Sequence, residues 1–170
     1  MFHIIFRNLS EDPISFAHQF FSLRADLLNL ETVLRCRLRN IDRQEAQSWL
    51  IPGGTLPKRY FLEGFSSGGG AGIATSLSAS FAGTSLEEPL AHLQRIDDES
   101  EIGHRLELLI DDHMTEFVHA AKYISFGPEP SIGYLHGVEV EVKNVRRVLS
   151  GISRRERSET ILADLRRPYV

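Results

Sequence analysis

Only one cysteine, Cys36, occurs in the 170 residues. No internal disulfide can form, and a reducing compartment fits that usage. Long apolar runs are missing too, so no stretch approaches the length needed to cross a bilayer. The opening MFHIIFRNL is too short for a signal peptide and lacks its flanks. The expectation is a soluble, intracellular protein, even if it sits beside a membrane. Charge of one sign is not in excess: the formal net charge is -4 and the pI about 6.0. That balance gives no support to nucleic-acid binding, and the basic end lacks the interleaved aromatics that stack on bases.

Catalytic and cofactor signatures are scarce as well. Gly68, Gly69, Gly70 and Gly72 are not followed by Lys-Ser/Thr and do not leave a strand, so they are not a phosphate loop. His104, Glu107, Asp111 and His113 lie close in sequence, but their spacing does not put all four on one helix face. The pairs Asp97-Asp98 and Asp111-Asp112 are adjacent in sequence, and nothing in the sequence sets either across a cleft for acid/base work. Cys36 falls inside a helical pattern with no nearby histidine, which reads as packing rather than as a nucleophile. The sequence therefore implies no catalytic residue, metal, cofactor or small-molecule substrate. An enzyme using His113 or His136 is the weakest of the functional readings.

What the chain does have is helical periodicity. In Pro130–Gly151, Leu135, Val138, Val142, Val145 and Leu149 recur at steps of three and four, one apolar stripe at helical period. Val138, Val140 and Val142 also alternate with charges, as in a strand. That alternation does not reach Val145 or Leu149, so the helix is preferred. Pro130 suits a first turn, and Gly151 sits where a left-handed C-terminal residue is wanted. Glu139 precedes Lys143 by four, the favourable order for an ion pair, and Asn144, Arg146 and Arg147 continue the polar face. That face reads either as solvated and salt-bridged or as a contact with a neighbouring subunit or helix hairpin.

Ser15–Leu38 is the cleanest helix in the chain. Phe16, Phe20, Leu23, Leu27, Leu30, Leu34 and Leu38 form its stripe, with Phe21 and Leu28 widening it. Asp26 and Asn29 sit within it, and Glu31 and Arg35 make a favourable pair. Short helices follow over Arg43–Leu50 and after Thr55, the second capped by Thr55 with Pro57 in its first turn. The Gly/Ser-rich Ser66–Gly72 reads as a hinge, and Ser85 and Glu88 fit a capping box. Glu99 or Ser100 opens a long helix to about Ser125, faced by Ile102, Leu106, Leu109, Met114, Phe117, Ala121 and Ile124. Ser153 and Glu156 fit a second capping box for a final helix to about Leu165. An acidic stretch from Ser85 to Arg105 and a basic end after Val142 favour docking onto partners or onto each other. Many helices, short loops and little strand signal predict an all-α fold. Two helical lobes are expected, residues 1–66 and 67–170, with one continuous helical domain as the alternative. No repeat of fixed short period marks a solenoid.

Three motifs in order carry a resemblance to one family. The first runs Gly127-Pro128-Glu129-Pro130, Tyr134-Leu135, then Glu141-Val142-Lys143-Asn144-Val145-Arg146, continues through Gly151-Ile152-Ser153 and ends Arg166-Arg167-Pro168-Tyr169-Val170. The second is Asp26-Leu27-Leu28-Asn29-Leu30 with Leu34-Arg35; the third is Ile51-Pro52-Gly53-Gly54. Together they resemble the C subunit of archaeal and bacterial V/A-type ATPases, related to the d subunit of eukaryotic V-ATPases. Members of that family are usually about twice this length, and the chain resembles their later part.

The resemblance implies helical-bundle lobes, with the two helix signatures reflecting an internal repeat. It also implies a non-catalytic collar that seats on the cytoplasmic face of the membrane rotor ring and receives the central axle. Rotor-ring and axle subunits are then the expected partners, with no nucleic acid. Asp26, Asn29, Arg35, Glu139, Glu141, Asn144, Arg146 and Arg147 are the structural or interface candidates; for Glu141, Asn144 and Arg146 a structural role, such as a buried Glu–Arg pair spanning two helices, is preferred to direct subunit contact. The alternative is a helical scaffold or adaptor that keeps the fold without the rotary role.

Overall fold

A computed structural model describes residues 16–63, 65, 81–84, 86, 87, 90, 91, 99–125 and 127–169. The readings at Phe2–Phe6, Asp12-Pro13, Ser66–Gly72, Ser85 and Glu88 lie outside these residues. The described residues are helical and contain no strand, as an all-α fold requires. The helices are α1 (Phe16–Leu38), α2 (Arg43–Trp49), α3 (Lys58–Glu63), α4 (Glu99–His119), α5 (Glu129–Ser153) and α6 (Ser158–Ala163), with a 3-10 turn at Ala120–Tyr123. They fall into two compact units. One holds the described residues from 21 to 107; the other holds 16–20 and those from 108 to 169.

In the first unit α1 buries Leu27, Leu30 and Leu34, as its stripe predicts. Leu28 is exposed instead of widening that stripe; Ala25, Val33 and Cys36 widen it from the other side. The helix ends with Asn40 in the left-handed region at φ 55. The Asn40 N–H donates to Arg37 O at 3.0 Å, and the Ile41 N–H to Cys36 O at 2.9 Å. That is the crossed pair of a Schellman ending, and Asn tolerates the conformation better than most side chains. Asp42 then caps α2, accepting the Gln44 and Glu45 N–H groups at 2.7 and 2.9 Å. Thr55 does not cap α3 as expected: its hydroxyl donates to Asp26 at 2.6 Å. Thr84 accepts the Leu86 N–H at 3.3 Å, and Glu87 accepts the Gly83 N–H at 2.6 Å. Phe61 and Phe81, both fully buried, meet at 5.2 Å between ring centroids.

The second unit is built on α5, and α5 faces the opposite way from its prediction. The helix exists with nearly the expected bounds, but the stripe Leu135, Val138, Val142, Val145 and Leu149 is exposed. Its inward face is Gly133, His136, Gly137, Val140 and Gly151, with Lys143, Asn144 and Arg147 turned partly inward. The physical reason is close approach. A Cβ at Gly137 would lie 3.0 Å from Tyr169 Cβ, and one at Gly151 would lie 2.5 Å from Ile161. Only a face of small residues admits those neighbours. Gly151 is therefore an interior packing position and not the left-handed terminus.

The left-handed residue is Arg155, at φ 57. The Arg155 N–H donates to Ile152 O and the Glu156 N–H to Gly151 O, both at 3.0 Å. The capping box at Ser153 is corrected by the same geometry. Ser153 ends α5, and the next helix starts at Ser158 after Arg157. The long helix α4 tightens into the 3-10 turn after His119 rather than continuing to Ser125, and Ile124 is exposed.

Candidate functional site

Two asparagines bracket two turns in the same way. The Asn29 side-chain amide donates to Ile51 O at 3.0 Å and accepts the Ile51 N–H at 2.8 Å. Asn144 donates to Arg166 O at 3.0 Å and accepts the Arg166 N–H at 2.9 Å. Both pairs are 22 residues apart. Between each asparagine and its target lie a Schellman ending with a left-handed residue, then a short helix with one buried anchor, Ala46 or Ile161. An amide that satisfies both polar groups of one backbone residue fixes that segment in position and orientation. Among the described residues the motif is seen in each unit.

The surroundings of the two brackets differ. In the first unit the buried carboxylate of Asp26 accepts the Thr55 N–H at 2.9 Å, the Thr55 hydroxyl, and the Leu56 N–H at 3.2 Å. It ties the loop after α2 to α1 through neutral donors. In the second unit the buried Asp111 accepts from Lys143 Nζ at 2.7 Å through one oxygen and from Arg166 Nε through the other. The buried charges of Asp111 and Arg166 are thereby paired, the condition for tolerating them. Arg167 approaches Asp112 at 3.7 Å, and the Arg167 N–H donates to Asp112 Oδ1 at 2.8 Å. Arg147 joins Glu156 at 2.6 Å and Asp164 at 2.8 Å, closing the α5–α6 turn from inside. Hydrogen bonds that Arg147 donates to Glu156 and then to Asp164 hold its guanidinium pKa above the ordinary value.

The candidates therefore separate. Asp26, Asn29, Asn144 and Arg147 sit in these structural brackets. Glu139 pairs with Lys143 at 3.4 Å. Arg35 is an exposed partner of Glu31 at 2.5 Å and lies 3.7 Å from Glu107. Glu141 and Arg146 both lie on the exposed side of α5, so neither enters a buried pair between helices. The inward arginine is the next one, Arg147. Among the described residues, the basic end meets acids at Asp111, Asp112, Glu139, Glu156 and Asp164.

Sequence reasoning missed Asp111 and Arg166 as a hub. The only signal was the match of an acidic doublet, Asp111-Asp112, to a basic doublet, Arg166-Arg167, which are 55 residues apart. It also missed the buried contact between Thr115 Oγ1 and His136 Nε2 at 3.0 Å. His136 and its neighbour Phe20 lie edge to face at 6.2 Å, within a packed interior. Among the described residues no group of three or more His, Cys, Asp or Glu is arranged to hold a metal. No helix among them is long and apolar enough to cross a membrane.

A family model described as "ATP synthase (C/AC39) subunit" matches residues 2–163. The C subunit of the A-type ATP synthase of Methanothermobacter thermautotrophicus is 25% identical over 139 residues, covering 81% of this chain and 35% of the relative. The C subunit of the V-type sodium ATPase of Enterococcus hirae is 30% identical over 126 residues, covering 74% and 36%. The matched region thus spans about a third of these curated relatives. No solved structure matches.

Proposed function

Because the chain belongs to the ATP synthase (C/AC39) subunit family, we propose that it acts as a non-catalytic central-stalk component of a V/A-type rotary ATPase. In this reading it is a socket that couples the rotor axle to the membrane rotor ring during ion transport. It works at the cytoplasmic face, with ring and axle subunits as partners and neither nucleic acid nor a small-molecule substrate.

The observation that carries the reading is the family match together with the twice-built asparagine bracket. A part that passes torque must resist twisting between its own helices. Both brackets and the ion pairs of Asp111 and Arg147 cross-link helices to turns through side chains that are themselves partly or fully buried. A socket needs shape and polar complementarity rather than a nucleophile.

The test is direct binding. The folded chain is mixed with detergent-solubilised rotor ring and, separately, with axle subunits, and each mixture is run on size exclusion with light scattering. Binding at micromolar concentration supports the socket. Loss of that binding on reversing the exposed Arg155 and Arg157 places the basic end in the contact; binding that survives moves the contact elsewhere. A folded chain that binds neither ring nor axle overturns the socket and leaves the adaptor reading.

A further inference from the structure

α4 and α5 meet through three unlike contacts. At one end Asp111 of α4 takes Lys143 of α5 at 2.7 Å, a charged contact. At the other, Ala121 Cβ lies 3.3 Å from where a Cβ on Gly133 would stand, a contact of small residues. Between them Thr115 Oγ1 meets His136 Nε2 at 3.0 Å. Thr115 is 1% exposed and His136 4%, so this polar contact is sealed from water.

The proton count fixes its direction. The Thr115 hydroxyl has one proton and donates it to Asp111 O at 2.9 Å. Its remaining role towards His136 is that of acceptor, so His136 Nε2 carries the hydrogen and donates it. A second proton on the ring goes to Nδ1. That step leaves the bond to Thr115 in place, and its cost is the charge itself.

The surrounding charges raise that cost. His136, Lys143 and Arg147 follow one line of α5, at spacings of seven and four. The Asp111 carboxylate, one turn from Thr115, already serves two cations, Lys143 through one oxygen and Arg166 through the other. Glu139 reaches the same Lys143 at 3.4 Å, and Asp112 reaches Arg167 at 3.7 Å. His119, one turn beyond Thr115 on α4, is a further titratable ring. α1 presents Phe20, edge to face with His136 at 6.2 Å. The acids on both helices are thus engaged with lysine or arginine, and an imidazolium adds a further cation to a buried interior.

We propose that His136 is an acid-sensitive strut of the second unit. Neutral, it joins α5 to Thr115 of α4; protonated, it loosens that joint and the returning segment that Asp111, Asp112 and Asn144 hold beside it. The folded state then binds fewer protons at this ring than the unfolded state. Stability is therefore complete above the pH range in which an unfolded histidine titrates and is lost as pH falls through it. One proton sets the limit at about tenfold in the opening equilibrium per pH unit. The strut belongs to the unit itself and does not rest on the socket reading.

Amide hydrogen exchange of the full chain between about pH 7 and about pH 5.5, corrected for intrinsic rates, tests it. The N–H groups of Arg166 and Arg167, held by Asn144 and Asp112, report on the second unit. The Ile51 N–H, held by Asn29, reports on the first. Protection at Arg166 and Arg167 should fall at least about threefold more per pH unit than at Ile51. His136→Gln, whose amide donates to Thr115 without titrating, should remove the excess. Equal pH dependence in the native chain and His136→Gln overturns the proposal, and so does an excess absent from the native chain. Nitrogen NMR shifts of the native imidazole test the same point without a variant. At about pH 7 the ring should be neutral with its hydrogen on Nε2; a charged ring, or a neutral one with its hydrogen on Nδ1, overturns the strut.

Discussion

Leu34 and Leu149 occupy equivalent places in two copies of one backbone motif, yet the first is fully buried and the second mostly exposed. The motif itself is the same in both regions: a long helix, a Schellman ending, a short helix, and a returning segment held by a side-chain amide. What differs is which face of the long helix is small. On α1 the bulky leucines face inward, and Asp26 reaches the returning loop from among them. On α5 glycines face inward and admit Tyr169 and Ile161, so the bulky residues turn outward and the interior is closed by ion pairs. One repeated backbone bracket is thus compatible with an apolar interior or a charged one. Local hydrogen bonding defines the bracket, and the neighbours define what it buries.

The largest expected contrast is between the two buried carboxylates. Asp111→Ala leaves the buried Arg166 guanidinium without its counter-ion, and we expect a loss of about 3–5 kcal/mol by urea denaturation. Asp26→Ala removes only neutral donors' acceptor, next to the exposed Thr55, and should cost about 1–3 kcal/mol. Equal losses would break the distinction between a charged and an apolar interior. The next contrast uses one substitution at equivalent sites. Leu34→Ala should cost about 2–5 kcal/mol, whereas Leu149→Ala should stay within about 0.5 kcal/mol. Those measurements belong at low protein concentration, where any self-association adds least to apparent stability. A large loss at Leu149 under those conditions would mean that its face is covered within one chain.

A smaller difference is expected between the brackets themselves. Asn29 is buried, so Asn29→Ala leaves the Ile51 groups poorly hydrated and should cost about 2 kcal/mol. Asn144 is half-buried and water can take its place, so about 1 kcal/mol is expected. Reversal of that order would show the second bracket to be the stiffer. The smallest effect concerns Cys36. Burial, and then the Glu45 carboxylate, push its thiol pKa up. The folded state holds the proton more tightly than the unfolded state. This contribution is therefore complete below the unfolded thiol pKa and is lost as pH rises from there through the folded value. Denaturation midpoints should fall more steeply with alkaline pH in the native chain than in Cys36→Ala, and native thiol labelling should be slow.

The sequence alone determined the helices, because periodicity and end signals act over a few residues. The stripe of α1, the span of α5, the Glu31–Arg35 and Glu139–Lys143 pairs and the resemblance of the three motifs were all legible at that range. Tertiary structure decided which face of each helix is inside. A stripe at helical spacing says that one face is apolar, but not that this chain covers it; on α5 the glycine face won because Tyr169 and Ile161 need its space. Tertiary structure also decided the partners of charge. Asp111 finds Arg166 across 55 residues, and no local pattern singles out that pairing. The two Schellman endings show the same division. The left-handed residue is Arg155 rather than the expected Gly151, because a buried glycine was worth more against Ile161 than at a helix end.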